Sequence, residues 1–407
     1  MANRKWLGQA LAVAQVNTVT PTAANSQTYT ITINGKNVNF TADASATVAE
    51  ITAGLTAAFN ASTEPEFAEI TATDSTTHVT LTADTAGYPF TNTSSATGAG
   101  TNVTATTTAN AGPNDWSTAD NWSGDAVPVS TDDVYIENSS VDILYGLGQS
   151  AVTLGSLNIA QTFTGKIGLP ERNANGYAEY RFTDGYLAIS ATTTNIGRGD
   201  GTGSGRIKLN FGSVATTMNV YGTGSPAEVG LEPLLWKGTG SNVLNVFAGS
   251  VGCGVLAQTT TETVTLTTLR MYGGYVRTGP ACTVTTKDQN GGVLDSWFTV
   301  TTCNMTGGTH NHYASTMSTV QINGGTLNWK SSANPTSVIV NSGGVLDFTG
   351  DSRAVTVTTA NIYAGSKIWD PYARVTWTNG IDLEECDLTE VTLNVGKDRK
   401  LTPAATT

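Results

Sequence analysis

The residues that could do chemistry in this chain are carboxylates, histidines and cysteines set among glycine-rich turns. Asp295, Asp347 and Asp351 are the first candidates, because glycoside hydrolysis needs two carboxyl groups about 5 to 9.5 Å apart across a groove. Two of the three close the same phrase. GGVLD ends at Asp295 and again at Asp347, and GGTLN puts Asn328 in that place. A position filled by Asp or Asn in successive copies reads as a turn or ladder residue, so acid catalysis is not expected there. The adjacent pairs Asp132-Asp133 and Glu384-Glu385 would face opposite sides of a strand.

His310-Asn311-His312 places two imidazoles on one strand face, where a three-fold axis could gather six. The expectation is nevertheless that they are exposed polar loop residues and that no metal is bound. Cys253, Cys282, Cys303 and Cys386 lack ligand-like spacing and are expected to be reduced and buried, with a Cys282–Cys303 bridge as the alternative. No G-x-S-x-G precedes a suitably placed histidine. The run Gly199 to Gly205 has no Lys-Ser/Thr end and no helical pattern after it, so it is no phosphate loop. Arg198-Gly199-Asp200 reads as a turn. No catalytic residue, cofactor or metal is therefore expected, and the chain does not read as an enzyme.

Composition narrows the partners. Lys and Arg number 20 against 32 Asp and Glu, a formal charge of −12, with no basic face for phosphate binding, which argues against nucleic acid. No run of eighteen apolar residues exists, so no membrane span is expected. Charged residues are only 13% and Gly is 44 of 407. With Val, Ile and Thr recurring at alternate positions, this composition favours strands and tight turns.

The elements that must position these residues follow from periodicity. Gln27 to Ile33 alternates, Asn34-Gly35 is a hairpin turn, and Val38 to Thr41 alternates back. Thr47 with Glu50 forms a capping box ahead of Val48, Ile51, Leu55 and Phe59 on one helical face. Strands near 68–72 and 79–83 complete a ββαββ unit. The low-complexity stretch 92–110 reads as a linker or covering strand. Trp116, Trp122 and Pro128 precede a long series of strands and are expected to cover its open end. Beyond 130 a repeat takes over: Gly274, Gly292, Gly308, Gly325, Gly344 and Ser366 follow one another at intervals of 18, 16, 17, 19 and 22 residues. Such a period fits a parallel β-helix, with glycine at the corners.

The opening MANRKWLGQALAVAQV imitates a signal peptide, but Gln9 and Gln15 interrupt its apolar part. A docking arm is the expectation. RKWLGQALAVAQVNTVTP, followed by TYTITINGKNVNFTADASATVAEITAGLTAAFN and LTADTAGYPFT, resembles a module near the start of tailed-bacteriophage virion proteins. NWSGDAVPVSTDDVYI, IGRGDGTGSGRIKLNFGSV and the Gly-Gly repeats are similar to the β-helices of phage spikes and autotransporter passengers. The fold expected is mainly β: a small N-terminal α+β domain and a right-handed parallel β-helix, trimeric as the resemblance implies. The division expected is a docking arm 1–26, a particle-binding ββαββ domain 27–110, a linker and Trp-rich cap 111–130, a β-helix 131–396 and a tail 397–407.

The resemblance implies a virion protein that decorates or cements the phage capsid. Its partner would be the major capsid protein, and the capsid-binding anchors on the arm would be Trp6, Leu7, Leu11 and Val13. The alternative is a tail spike or fibre that binds host surface glycan and cleaves it if it is hydrolytic. A secreted bacterial adhesin is a third reading, and it requires export.

Overall fold

The computed structural model describes residues 2–396 and 402–403, apart from 174, 182–183 and 256–261. Most of the tail expected at 397–407 lies outside the described residues. With 47% of residues in strands and 5% in helix, the chain is mainly β.

The small N-terminal unit holds one α-helix, Val48–Asn60, started by the Thr47–Glu50 capping box, with Ile51, Thr52, Leu55 and Phe59 buried. Gly54 lets the Phe40 ring approach, since a Cβ there would stand 2.1 Å from it. Asn34 and Gly35, with φ of 47° and 89°, turn the hairpin between Thr28–Ile33 and Lys36–Thr41. Two antiparallel sheets flank this core. One orders Ile70–Asp74, Val79–Ala83, Val16–Thr22 and Thr101–Thr108; the other orders Lys36–Thr41, Thr28–Ile33 and Asn92–Ala96.

The expected arm 1–26 is therefore not a separate segment. Its Val16–Thr22 stretch is an inner strand, paired on both sides, with Asn17 and Val19 buried. The low-complexity stretch supplies two strands, because its β-branched threonines suit a half-exposed pleated surface.

From Asp133 onward the strands pair in parallel, each with the equivalent strand of the next repeat. One ladder runs from Asp133–Ile136 through Asp382–Leu383 to Thr402–Pro403, and a second from Ile207–Asn210 to Thr392–Asn394. Inward side chains stack in columns along the first ladder. Val134, Leu157, Thr194, Met218, Leu244 and Leu269 follow one another in register. The neighbouring column is Ile136, Ile159, Ile196, Val220, Val246 and Met271. Each buried aliphatic side chain contributes roughly 1.5–3 kcal/mol, so the columns dominate stability.

The repeat glycines sit at a corner. Gly274, Gly292, Gly308 and Gly325 take φ of 72°, 72°, 79° and 80°. A Cβ on Gly292, Gly308 or Gly325 would stand 2.5 Å from the carbonyl oxygen of the glycine one rung back. Positive φ and contact with backbone both exclude a side chain there.

Candidate functional site

The N-terminal arm is built into the end of the parallel stack. Asn3, Arg4 and Lys5 pair with Asp133, Val134 and Tyr135. Asp132, almost fully buried, accepts from the Ala2 backbone N–H at 2.8 Å and from that of Val129 at 3.2 Å, and its Oδ2 lies 3.5 Å from Arg4 Nε. Burial pushes its carboxyl up, but those donors outweigh it and hold the pKa below the usual range. Lys5 reaches Glu137 at 2.9 Å.

Trp6 does not belong to a docking surface. It is 2% exposed, bridges Trp122 and donates its indole N–H to the Val141 carbonyl at 3.2 Å. Trp122 in turn lies 4.5 Å from Trp116, ring centroid to centroid, and donates to its carbonyl at 2.8 Å. The three indoles share one core with the inward columns. The reason is geometric: strand pairing through Lys5 points the next side chain into the open end of the stack, where apolar area is unsatisfied.

The rest of the arm is held from below and open above. Buried Asn121 accepts from Ala10 N at 2.9 Å and donates to the Gly112 and Asp115 carbonyls at 2.7 and 2.8 Å. Val13 pairs with Ala111. Leu7, Leu11 and Val13 are left 39%, 84% and 39% exposed. Of the four expected anchors, these three face outward.

His310 and His312 are not exposed loop residues. Thr309–His312 is a strand of the second ladder, and both imidazoles point inward, fully buried. Lys287, Gln289 and Ser296 point inward beside them and are also fully buried. Lys287 Nζ lies 3.3 Å from His310 Nδ1, Ser296 Oγ 2.8 Å from His310 Nε2 and 3.0 Å from His312 Nδ1, and His312 Nε2 2.9 Å from the Ser315 carbonyl oxygen.

With both imidazoles neutral, one proton assignment satisfies this series. Lys287 donates to His310, His310 to Ser296, Ser296 to His312, and His312 to the carbonyl. Burial drives His310 well below its ordinary pKa and His312 down to about 4. Burial likewise lowers Lys287, while Cys303, whose sulfur lies 3.5 Å from its Nζ, is pushed up. Sealed from solvent, the Lys287–His310–Ser296–His312 series is hydrogen-bonded within the interior, while the Gln289 amide donates to the Gly292 and Thr309 carbonyls and leaves its Oε1 without a partner among the described residues.

The described cysteines are free, and the Cys282–Cys303 alternative is not formed. Cys282 stands opposite Val264 in the ladder and Cys303 opposite Lys287.

Asp295, Asn311, Asn328 and Asp347 occupy one outward column in register. Asn311 donates to Asp295 and Asn328 to Asn311, each at 2.8 Å. Three rungs at about 4.8 Å put the two aspartates about 14 Å apart, beyond the span of a glycosidase pair. Asp351 is engaged by Arg353 and Arg374.

Sequence reasoning passed over an outward aromatic stack. Tyr221, Phe247 and Tyr272 lie ring on ring at 5.0 and 4.9 Å, with interplanar angles of 2° and 5°. Each follows the last inward residue of a first-ladder strand, so its recurrence was visible once the repeats were aligned. Comparison of the chain with protein-family models, curated proteins and solved structures finds no match.

Proposed function

We propose that the parallel ladders form a right-handed β-helix that associates in threes, and that the protein is a non-enzymatic capsid decoration or cement protein of a tailed bacteriophage. In this reading the N-terminal part lies on the shell of major capsid protein and the β-helix projects. The observation that carries it is the arm. Strand pairing, Trp6 and Asn121 fix its backbone, and that fixed backbone presents Leu7, Leu11 and Val13 to solvent. A preformed apolar surface loses little entropy on docking, and contacts made only in the assembled shell favour assembly.

Deleting residues 1–20 would remove Trp6 and most of an inner strand, so point substitution is the cleaner test. Shells of the corresponding phage, stripped of decoration, should retain the wild-type protein at many copies and lose Leu11→Glu. Full retention of that variant rejects the docking role of the arm. Native mass measurement of three copies would support the trimer.

The exposed aromatic stack favours a second reading, a tail spike or fibre that binds host glycan. A handful of copies at the tail would support it against hundreds on the head.

A further inference from the structure

Beside Tyr272, on the side away from Phe247, the aromatic stack stops. The equivalent positions on the next two rungs are Asn290 and Thr306, as the register of Met271 with Gln289 and Met305 requires. A shallow recess of about 280 Å³ opens there, lined by Arg270, Tyr272, Asp288, Asn290, Asn304 and Thr306 among others. Tyr272 and Phe247 are 47% and 40% exposed.

We propose that this recess is a binding site for a neutral saccharide, whose pyranose ring continues the stack over Tyr272. Three observations carry it. The rings are spaced at one rung each, so a further ring about 4.8 Å beyond Tyr272 falls over Asn290, where only a small side chain stands. An aromatic face with its negative quadrupole attracts the C–H face of a sugar, and exposed rings of this kind supply binding area at low entropy cost.

The polar rim matches a polyol in both senses of hydrogen bonding. Arg270 and the Asn290 and Asn304 amides donate, while Asp288 and the amide oxygens accept. Charge sets the class. Arg270 and Asp288 lie 3.9 Å apart and offset each other, and Asn304 donates to Asp288 at 2.9 Å. The rim therefore carries no net charge to recruit an acidic sugar.

At the stack's other end Arg198 covers Tyr221 at 4.7 Å from the ring centroid and donates to its hydroxyl at 2.8 Å. That face is closed by the chain itself, whereas the Tyr272 face is left for a ligand. The site stands on the outward side of the first ladder, where its strands run into the glycine corner, and does not depend on where a particle carries the protein. Copy number tests that place, and glycan retention by the isolated chain tests the site.

The experiment is retention of the purified full-length protein on a printed array. The array carries neutral gluco-, galacto- and manno-configured oligosaccharides, with sialylated oligosaccharides of like length as the acidic arm. At least one neutral series should retain the wild type. Tyr272→Ala should lower that retention by about tenfold or more, and Tyr272→Phe should keep it within about threefold, because the ring face survives. Asn304→Ala, which removes a rim amide and leaves the stack intact, should lower it by about threefold or more. Melting curves for each variant separate lost binding from lost folding, and Asn304→Ala decides the matter if Tyr272→Ala fails to fold. Retention of the wild type by no neutral series, retention by sialylated glycans alone, or equal retention of the folded variants would each overturn the proposal.

Discussion

Trp6 and Trp122 meet edge to face, their ring centroids 5.1 Å apart and their planes at 69°. A residue six positions from the start thus completes the core of a domain that begins more than a hundred residues later. Trp6→Ala should cost about 3–5 kcal/mol, the usual result of emptying a buried indole site. Its fluorescence-monitored urea midpoint should fall, and proteolysis should begin at the arm. An unchanged midpoint would mean that the arm contributes nothing to the stack.

Leu11 offers the opposite expectation on the same arm. At 84% exposure it has little to lose, so Leu11→Glu should shift stability by no more than about 0.5 kcal/mol. Sedimentation with stripped shells should nonetheless drop sharply for this variant, because the docking reading places an apolar contact there. A stable variant that still co-sediments removes Leu11 from the contact.

Much of the fold was legible in the sequence, and particular residues explain the rest. The hairpin at Asn34-Gly35 and the capped helix after Thr47 were readable because local chemistry alone decides them. So was the glycine corner, with one difference. Between Val340 and Gly344 the chain has one residue more than between Ile322 and Gly325, so the positive φ passes to Gly343.

The inward histidines were misread because a polar strand was assumed to face water. Aligning the repeats on their glycines puts Lys287 and Gln289 at the places of Leu269 and Met271, which signals a polar layer inside the stack. Trp6 could not be located, since nothing local says that a strand of three residues will pair with one 130 positions away. Leu11 entered only as an anchor implied by the virion resemblance, and nothing local announces that Asn121 will hold the backbone of the neighbouring Ala10.

The glycine corner separates backbone strain from crowding. Gly308 and Gly343 both take φ of 79°, but a Cβ on Gly308 meets the Gly292 carbonyl at 2.5 Å whereas one on Gly343 meets nothing within 4 Å. Gly343→Ala should therefore cost about 1 kcal/mol, the left-handed backbone penalty. Gly308→Ala should cost about 1–3 kcal/mol more, because the stacked rung must shift. Urea midpoints of the two variants measure the difference. Equal losses would show that the stack relaxes freely along its axis.

The interior Lys287–His310–Ser296–His312 series makes stability depend on pH. Both imidazoles have folded pKa values below the unfolded value near 6.5, His312 at about 4. The unfolded chain therefore binds more protons below pH 6.5, and stability falls as pH drops through the window from 6.5 to about 4. Between pH 7 and 5 His312 should cost about 2 kcal/mol, at about 1.4 kcal/mol per pH unit once the unfolded imidazole is charged, and His310 adds to the loss in the same direction. Structurally, a proton on His312 Nδ1 removes the acceptor for Ser296 and leaves a charge in the core. A His310→Gln/His312→Gln variant should unfold more easily at pH 7 yet show a nearly flat profile down to pH 5. Parallel profiles for the variant and the wild type in urea titrations would place the acid sensitivity elsewhere in the chain.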